Sequence, residues 1–137
     1  MGIDTPVFVY LLEEHPSYLR VVRPLFEAIS EGRLSAVTSS FTFLEVLVLP
    51  LRNRNAELAQ SYEDLLTDSR GLRLAAIDME QIRGAARLRA AWPSLRTPDG
   101  LQLTAALLGG CSAFVTNDRR LPAIPGLKIH QLKDYAA

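Results

Sequence analysis

The segment TPDGLQLTAALLGGCSAFVTND, residues 97–118, places a helix start, a helix end and a strand in close succession. Thr97-Pro98 combines a capping residue with a proline at the first helical position, which predicts a helix from here to Leu108. Gly109-Gly110 ends that helix, and the apolar run Ala113 to Thr116 then predicts a strand. A helix that leads into a strand through a short glycine turn is typical of parallel α/β proteins.

The same alternation of strands and helices extends through the rest of the chain. Further strands are predicted at Met1–Ile3, Leu34–Ser39, Leu72–Ile77 and Leu127–Gln131. Further helices are predicted at residues 7–14 after Thr5-Pro6, at 18–31, at 41–51, around Leu58, Tyr62 and Leu65, and after Asp78. We therefore predict an α/β fold of three α/β/α layers, in which helices flank a central, mainly parallel five-stranded sheet.

Helical periodicity also predicts which face of the helix after Asp78 packs inward. One face of that helix is apolar and the opposite face is charged. The apolar positions are Met79, Ile82, Ala86 and Ala90, and the charged positions are Glu80, Arg83 and Arg87. We expect the apolar set to be buried and the charged set to face water.

The composition indicates one compact domain over residues 1–137, because 48% of the residues are apolar and 22% are charged. Fifteen basic and fifteen acidic residues cancel, so no protein-wide field attracts nucleic acid or an anionic membrane. A single cysteine, Cys111, excludes an internal disulfide framework and a cysteine-rich zinc site. No stretch is typical of a leader peptide or a membrane span, so we predict a cytoplasmic protein that does not bind membranes.

Four carboxylates occupy positions that a solvated helix face does not explain. Asp4 and Asp118 follow predicted strands, Asp99 lies in the first turn of a helix, and Glu45 interrupts the apolar run 41–51. Each position also has a structural interpretation: Asp4 can cap a helix, Asp99 favours a helix N-terminus, and Asp118 suits a turn. Because residues 41–51 are apolar on every side, we expect Glu45 to be buried, either beside an arginine or at a metal.

Taken together, the four acids favour a metal site. In parallel α/β sheets, ligands bind beyond the carboxyl ends of the strands, where Asp4 and Asp118 lie. Four like charges in one crevice repel each other unless a divalent cation lies among them. Carboxylate oxygens without histidine or cysteine are ligands for Mg²⁺, with Mn²⁺ as a possible substitute.

The acids lie in four short segments: Asp4-Thr5, SSFTFLEV at 39–46, LRTPDGLQL at 95–103 and FVTNDRRL at 114–121. In these segments the chain resembles PIN-domain proteins, specifically the VapC-type toxin ribonucleases of bacterial toxin–antitoxin pairs, and the likeness extends over nearly the whole chain. The resemblance implies that Asp4, Glu45, Asp99 and Asp118 are the catalytic and metal-binding acids. It also implies that Thr5, Thr116 and Asn117 line the site as substrate-binding residues.

The resulting hypothesis is a Mg²⁺-dependent endoribonuclease that uses metal-activated water and leaves a 5′-phosphate. Arg96, Arg119 and Arg120 border the acidic segments and are the candidates for RNA phosphate contacts. The resemblance further implies a cognate antitoxin protein and a homodimer. Three alternatives remain open: an inactive PIN-like module that binds RNA or protein, a PIN nuclease of RNA processing, and, more remotely, a receiver domain.

Overall fold

The computed structural model describes residues 1–136 and contains five strands and six α-helices within that range. The strands are β1 (Gly2–Ile3), β2 (Ala36–Ser39), β3 (Leu72–Ala75), β4 (Ala113–Thr116) and β5 (Lys128–Gln131). The helices are α1 (Thr5–Leu12), α2 (Leu19–Ser30), α3 (Ser40–Arg52), α4 (Ala56–Asp68), α5 (Met79–Ala91) and α6 (Thr97–Leu108). A 3₁₀ turn at Leu132–Asp134 follows β5.

The five strands form one sheet in the order β3-β2-β1-β4-β5, and every pair of neighbours is parallel. The predicted α/β class and the parallel five-stranded sheet are therefore confirmed. β1 is the central strand, so the chain crosses to β2 on one side of it and later to β4 on the other. The order reverses between β1 and β4, which is where such sheets open a crevice for ligands.

Alternating side chains of the strands build a core on each face of the sheet, because successive residues of a strand point in opposite directions. Ile3, Ala36 and Val115 pack with buried residues of α1 to α4. Phe114 packs with residues of α6 and with the loops that precede β5. The predicted three layers are therefore present, with α1 to α4 on one face and α5 and α6 on the other.

The predicted inward face of α5 is wrong. Met79 is 58% exposed and Ile82 is 45% exposed, and Ala86 and Ala90 are exposed as well. The buried residue of this helix is Ala85. The actual contact face follows a second helical stripe that includes Gly84, where α5 lies very close to α6. Alanines in both stripes make the two phases hard to distinguish from the pattern alone.

Gly84 permits this close packing, and the contact gives a testable prediction. A Cβ at residue 84 would lie 2.4 Å from Cγ2 of Thr104 on α6, and Thr104 is itself buried. Overpacking costs about 1–3 kcal/mol, whereas replacing a helical glycine by alanine gains about 1 kcal/mol. Because a 2.4 Å contact places the cost of overpacking in the upper part of its range, we expect Gly84→Ala to lower the free energy of unfolding by about 1–2 kcal/mol in urea titrations.

The control for this prediction is Arg87→Ala, which changes an exposed residue of the same helix. That variant should stay within about 0.5 kcal/mol of the parent. A Gly84→Ala protein as stable as the parent would show that α5 and α6 do not pack as described.

Candidate functional site

A cavity of about 360 Å³ opens at the carboxyl edge of the sheet, beside the junction of β1 and β4, and all four predicted acids line it. The acids come from four separate elements: the end of β1, the middle of α3, the first turn of α6 and the loop after β4. The lining residues are Asp4, Thr5, Pro6, Val9, Tyr10, Glu45, Pro98, Asp99, Gln102 and Asp118. The structure therefore brings together four carboxylates that are widely separated along the chain.

Asp4 is held at the base of the cavity by two hydrogen bonds. It follows β1 and caps α1, where Oδ1 accepts from the backbone N–H of Thr5 at 2.9 Å. Its Oδ2 accepts from the hydroxyl of Thr116 at 2.7 Å. Desolvation is the largest cause that raises the pKa of Asp4 to about 6 despite these two bonds, and the charges of Glu45 and Asp99 contribute to the rise.

Asp99 lies in the first turn of α6, as predicted, and its position there is fixed by the helix start. Its Oδ2 accepts from the backbone N–H of Arg96 at 2.9 Å, which forms part of a capping box. A negative charge at this end of a helix is also favoured by the helix dipole. The capping interpretation and the site interpretation of Asp99 are therefore compatible, because the capped carboxylate also lines the cavity.

Glu45 is exposed, so the expectation that it is buried is wrong. The buried residues of α3 are Thr42, Val46 and Pro50, which form a single stripe. Leu44 and Leu49 beside Glu45 are 59% and 58% exposed, so the apolar character of this helix does not reflect burial on all sides. The Glu45 Oε1 accepts from the Thr5 hydroxyl at 2.7 Å, not from an arginine.

Asp118 is paired with a neighbouring arginine in the loop after β4. Its Oδ1 accepts from Arg120 Nε at 2.9 Å, and its Oδ2 accepts from Arg120 Nη2 at 2.6 Å. This guanidinium group lowers the pKa of Asp118, and the more distant charge of Arg96 lowers it further. Asp118 is therefore ionised, and the positive charge of Arg120 offsets part of its negative charge.

The remaining predicted site residues have differing surroundings. Thr116 is fully buried and touches Asp4. The Asn117 side chain bonds to the Tyr10 hydroxyl at 3.4 Å and to the backbone N–H of Lys133 at 3.1 Å, so it links the loop to neighbouring elements. Arg119 forms a salt bridge with Asp134 at 2.7 Å. Arg120 bonds to the cavity acid Asp118 through its side chain, whereas Arg96 bonds to Asp99 through its backbone N–H.

Gln102, which was not among the predicted site residues, is a 3% exposed amide that lines the cavity from α6. Its side chain bonds to three threonines, Thr5, Thr38 and Thr42, and to the backbone of Ser39. A signal for it was present, because Gln102 interrupts an apolar helix in the same way as Glu45. Buried polar side chains are generally hydrogen-bonded, so such a residue indicates a polar partner set.

The ligand chemistry of the cavity, though not its present spacing, suits a hard divalent cation. Its charged groups are carboxylates, which Mg²⁺ and Mn²⁺ prefer, and burial together with the charges of Glu45 and Asp99 raises the Asp4 pKa. Within residues 1–136, no three Asp, Glu, His or Cys side chains are grouped closely enough to hold an ion. Each of the four acids instead accepts a hydrogen bond from a protein donor: Thr5 and Thr116 for Asp4, Thr5 for Glu45, Arg96 for Asp99, and Arg120 for Asp118.

The pair of Asp118 and Arg120 leads to a prediction about cation binding. Removing the guanidinium by Arg120→Ala frees Oδ2 of Asp118 and leaves Oδ1 bonded to the backbone N–H of residue 120, while the cavity lining is unchanged. We expect this variant to bind Mn²⁺ more tightly than the parent, by up to about fivefold, since an exposed ion pair is a weak competitor. Isothermal titration calorimetry with MnCl₂ measures the change.

Arg33→Ala is the matched control, because Arg33 makes the same kind of short-range pair with Glu31 far from the cavity. Its Mn²⁺ affinity should equal that of the parent. Weaker Mn²⁺ binding in Arg120→Ala would mean that Arg120 does not compete with the ion for Asp118.

None of the helices within residues 1–136 is both long enough and apolar enough to span a bilayer. The stretch 100–117 is instead the body of α6 followed by β4, as the sequence analysis predicted.

The fold and the site together define an α/β protein with a parallel sheet and an acidic cavity at the switch point of that sheet. Comparison with family models identifies the class more closely, since the PIN domain model matches residues 1–127. The chain therefore belongs to the PIN domain family, as the resemblance in its sequence indicated. A comparison with curated proteins gave no significant match.

Solved structures of low sequence identity share the fold. VapBC2 from Rickettsia felis, bound to a promoter DNA fragment, matches with 19% identity and a TM-score of 0.73, covering 94% of this chain and 96% of that one. A toxin–antitoxin complex from Klebsiella pneumoniae matches with 21% identity and a TM-score of 0.70, covering 91% and 92%. DNA-bound VapBC from Salmonella typhimurium matches with 18% identity and a TM-score of 0.70, covering 95% and 96%.

Proposed function

We propose that this PIN protein is a Mg²⁺-dependent endoribonuclease and the toxin component of a bacterial toxin–antitoxin pair. The observation that carries the proposal is the convergence of Asp4, Glu45, Asp99 and Asp118 on one cavity at the carboxyl edge of the sheet. Capping and turn formation explain some of these acids individually, but they do not explain why all four line the same cavity. The fold shared with structures described as toxin–antitoxin complexes supports the toxin assignment.

In this proposal the four carboxylates, which are not grouped closely enough within residues 1–136 of this structure to hold an ion, draw together around the cation and fix the reacting groups around it. Mg²⁺, when bound, would polarise the scissile phosphate and lower the pKa of an attacking water. Glu45 differs from the other acids because its side chain is exposed, and its Oε1 is the oxygen that accepts a hydrogen bond within residues 1–136. Its Oε2 is therefore available to orient a water molecule.

The reaction is hydrolysis of a phosphodiester bond. The water oxygen forms a bond to phosphorus as the bond from phosphorus to the 3′ oxygen breaks, and the water gives up a proton while the 3′ oxygen takes one up. The products are a 5′-phosphate and a 3′-hydroxyl. Arg96, Arg119 and Arg120 are proposed to contact RNA phosphates, and Thr5, Thr116 and Asn117 to support the substrate side of the cavity.

The proposed partners are an antitoxin and a second copy of the chain. Exposed leucine and valine side chains on α3 offer an apolar surface next to Glu45, and they are Leu44, Val48, Leu49 and Leu51. A patch of this kind on a protein surface is typical of an interaction site. Because the substrate is RNA, we propose the cytoplasm as the place of action.

The test is cleavage of a defined RNA by purified protein in Mg²⁺, in Mn²⁺ and in EDTA. We expect cleavage in the two metals and none in EDTA, with 5′-phosphate ends identified by ligation or mass spectrometry. Products ending in a 2′,3′-cyclic phosphate would contradict attack by water. RNA binding without cleavage in either metal would favour the inactive binding module instead, and relief of toxicity on co-expression with an antitoxin tests the pairing.

A further inference from the structure

We propose that Gln102 is a positioning residue for Glu45 and acts on it through the hydroxyl of Thr5. Gln102 does not touch Glu45; the Thr5 hydroxyl lies between them, 3.2 Å from Gln102 Nε2 and 2.7 Å from Glu45 Oε1. The inference rests on the proposed function, since it assigns a supporting residue to the same acidic cavity.

The Gln102 amide is the centre of a buried hydrogen-bond network. Its Oε1 accepts from the backbone N–H of Ser39 at 3.1 Å and lies 3.3 Å from the Thr38 hydroxyl. Its Nε2 lies 2.6 Å from the Thr42 hydroxyl and 3.2 Å from that of Thr5. An amide has two donor hydrogens, so the contacts to these two threonines use both of them.

The backbone fixes which way the amide points. The N–H of Ser39 is a donor only, so the group facing it must be the amide oxygen. The NH₂ group therefore faces Thr5 and Thr42 and donates to both hydroxyl oxygens. The reversed amide would place two donors against each other at Ser39 and is excluded on that ground.

The other end of the network is fixed by a carbonyl group. The Thr38 hydroxyl lies 2.8 Å from the backbone oxygen of Ile3, which can only accept, so Thr38 is a donor there. Thr38 then receives its own hydrogen bond from Thr42, whose hydroxyl lies 2.8 Å away. The single proton of Thr42 is used in this contact.

Thr5 is the member of the network that donates a hydrogen bond into the cavity. Its oxygen accepts from Gln102, so its own hydroxyl proton remains free to point outward. The acceptor it meets is Oε1 of Glu45, at 2.7 Å. The hydrogen-bond directions that the Ser39 N–H and the Ile3 carbonyl fix therefore leave the Thr5 hydroxyl as a donor to Glu45.

Loss of the Gln102 amide removes this constraint on Thr5. The Thr5 hydroxyl lies 3.0 Å from that of Thr42 and can donate to it once Gln102 no longer donates to the Thr42 oxygen. Glu45 would then lose the hydrogen bond from Thr5 to its Oε1. Because the Glu45 side chain is exposed, packing restrains it only weakly on its outer side.

The test compares Gln102→Met and Thr5→Val with the parent and with Gln81→Met, which changes a glutamine outside the cavity. Met keeps the length of glutamine without its polar atoms, and Val keeps the shape of threonine without its hydroxyl. We expect each cavity variant to lower kcat for RNA cleavage about 10–100-fold with little change in KM, and to weaken Mn²⁺ binding measured by calorimetry. Gln81→Met should match the parent in all three quantities.

Two further comparisons separate positioning from a purely structural effect. In a Glu45→Ala background, Gln102→Met should produce no further loss of kcat, because its effect acts through Glu45. A further loss of similar size would overturn the proposal, as would parental kcat and Mn²⁺ affinity in folded Gln102→Met. If that variant fails to fold, Thr5→Val decides alone, and parental behaviour in it refutes the inference.

The outcomes also separate this inference from the proposed function. If the parent cleaves RNA and Gln102→Met has the same kcat and Mn²⁺ affinity as the parent, the inference alone is refuted. A parent that binds Mn²⁺ without cleaving RNA refutes the nuclease, and the Mn²⁺ affinity of Gln102→Met then decides whether the amide positions Glu45. A parent that neither binds Mn²⁺ nor cleaves RNA refutes both.

Discussion

Replacing Asp99 by asparagine is expected to reduce Mg²⁺-dependent RNA cleavage by about 10³-fold. The change removes one negative charge from the acidic cavity but keeps an oxygen that can accept from the backbone N–H of Arg96, so the start of α6 is retained. Metal-assisted catalysis supplies several kcal/mol of transition-state stabilisation, and each 1.36 kcal/mol corresponds to a factor of ten. The measurement is the single-turnover cleavage rate at saturating protein.

Asp78→Asn provides the matched control for this experiment. Asp78 also accepts a backbone N–H at a helix start, that of Gln81 on α5, but it lies outside the cavity. Its replacement removes the same charge from a similar position and should leave the rate within about twofold of the parent. Full activity in a folded Asp99→Asn protein would refute the proposed site, whatever the control shows.

Asp4→Asn is expected to stabilise the metal-free protein at neutral pH while abolishing its response to Mn²⁺. The pKa of Asp4 is about 6 in the folded protein and 3.8 without perturbation, so the folded state holds this proton more tightly than the unfolded state. Between about pH 4 and pH 6 the free energy of unfolding therefore falls as pH rises, by up to about 3 kcal/mol in total. Asparagine does not titrate, so the free energy of unfolding of the variant does not show this fall between pH 4 and pH 6.

Urea unfolding in EDTA at pH 4, 5, 6 and 7.5 measures the effect. The stability advantage of Asp4→Asn should grow across this range and stay constant above about pH 6.5. Added Mn²⁺ should raise the stability of the parent at pH 7.5 and leave that of the variant unchanged. Asp134→Asn, an exposed acid outside the cavity, should follow the parent profile. An advantage that is equal at every pH would contradict a buried, charge-repelled Asp4.

Local signals in the sequence were sufficient for the sheet and for most element boundaries. The helix 97–108 and the strand 113–116 have the predicted limits, because Thr97-Pro98 and Gly109-Gly110 are unambiguous start and stop signals. The prediction of which face of α5 is buried was wrong, and the reason lies outside the local sequence. Two stripes rich in alanine compete on that helix, and the choice depends on the contact between Gly84 and Thr104, which lie 20 residues apart.

The sequence was sufficient to predict which acids line the cavity, but it was not sufficient to predict their hydrogen bonds. Strand ends and a helix start direct Asp4, Asp99 and Asp118 to the same edge of a parallel sheet, and the structure places them there. The exposure of Glu45 depends on how much of α3 its neighbours cover, which no local pattern contains. The Gln102 network joins α1, β2, α3 and α6, so its partners become apparent only when these elements are assembled.

The two-residue central strand has a consequence for synthesis on the ribosome. β1 leaves the exit tunnel early, but one of its two neighbours in the sheet is β4, which begins at Ala113. A nascent chain that stops before this point lacks Thr116, which holds Asp4, and lacks Asp118 altogether. Closing so long a loop is a late event in folding. A polypeptide that ends before β4 therefore lacks two parts of the candidate site, and for the proposed nuclease we expect RNA cleavage only from chains that extend beyond Asp118.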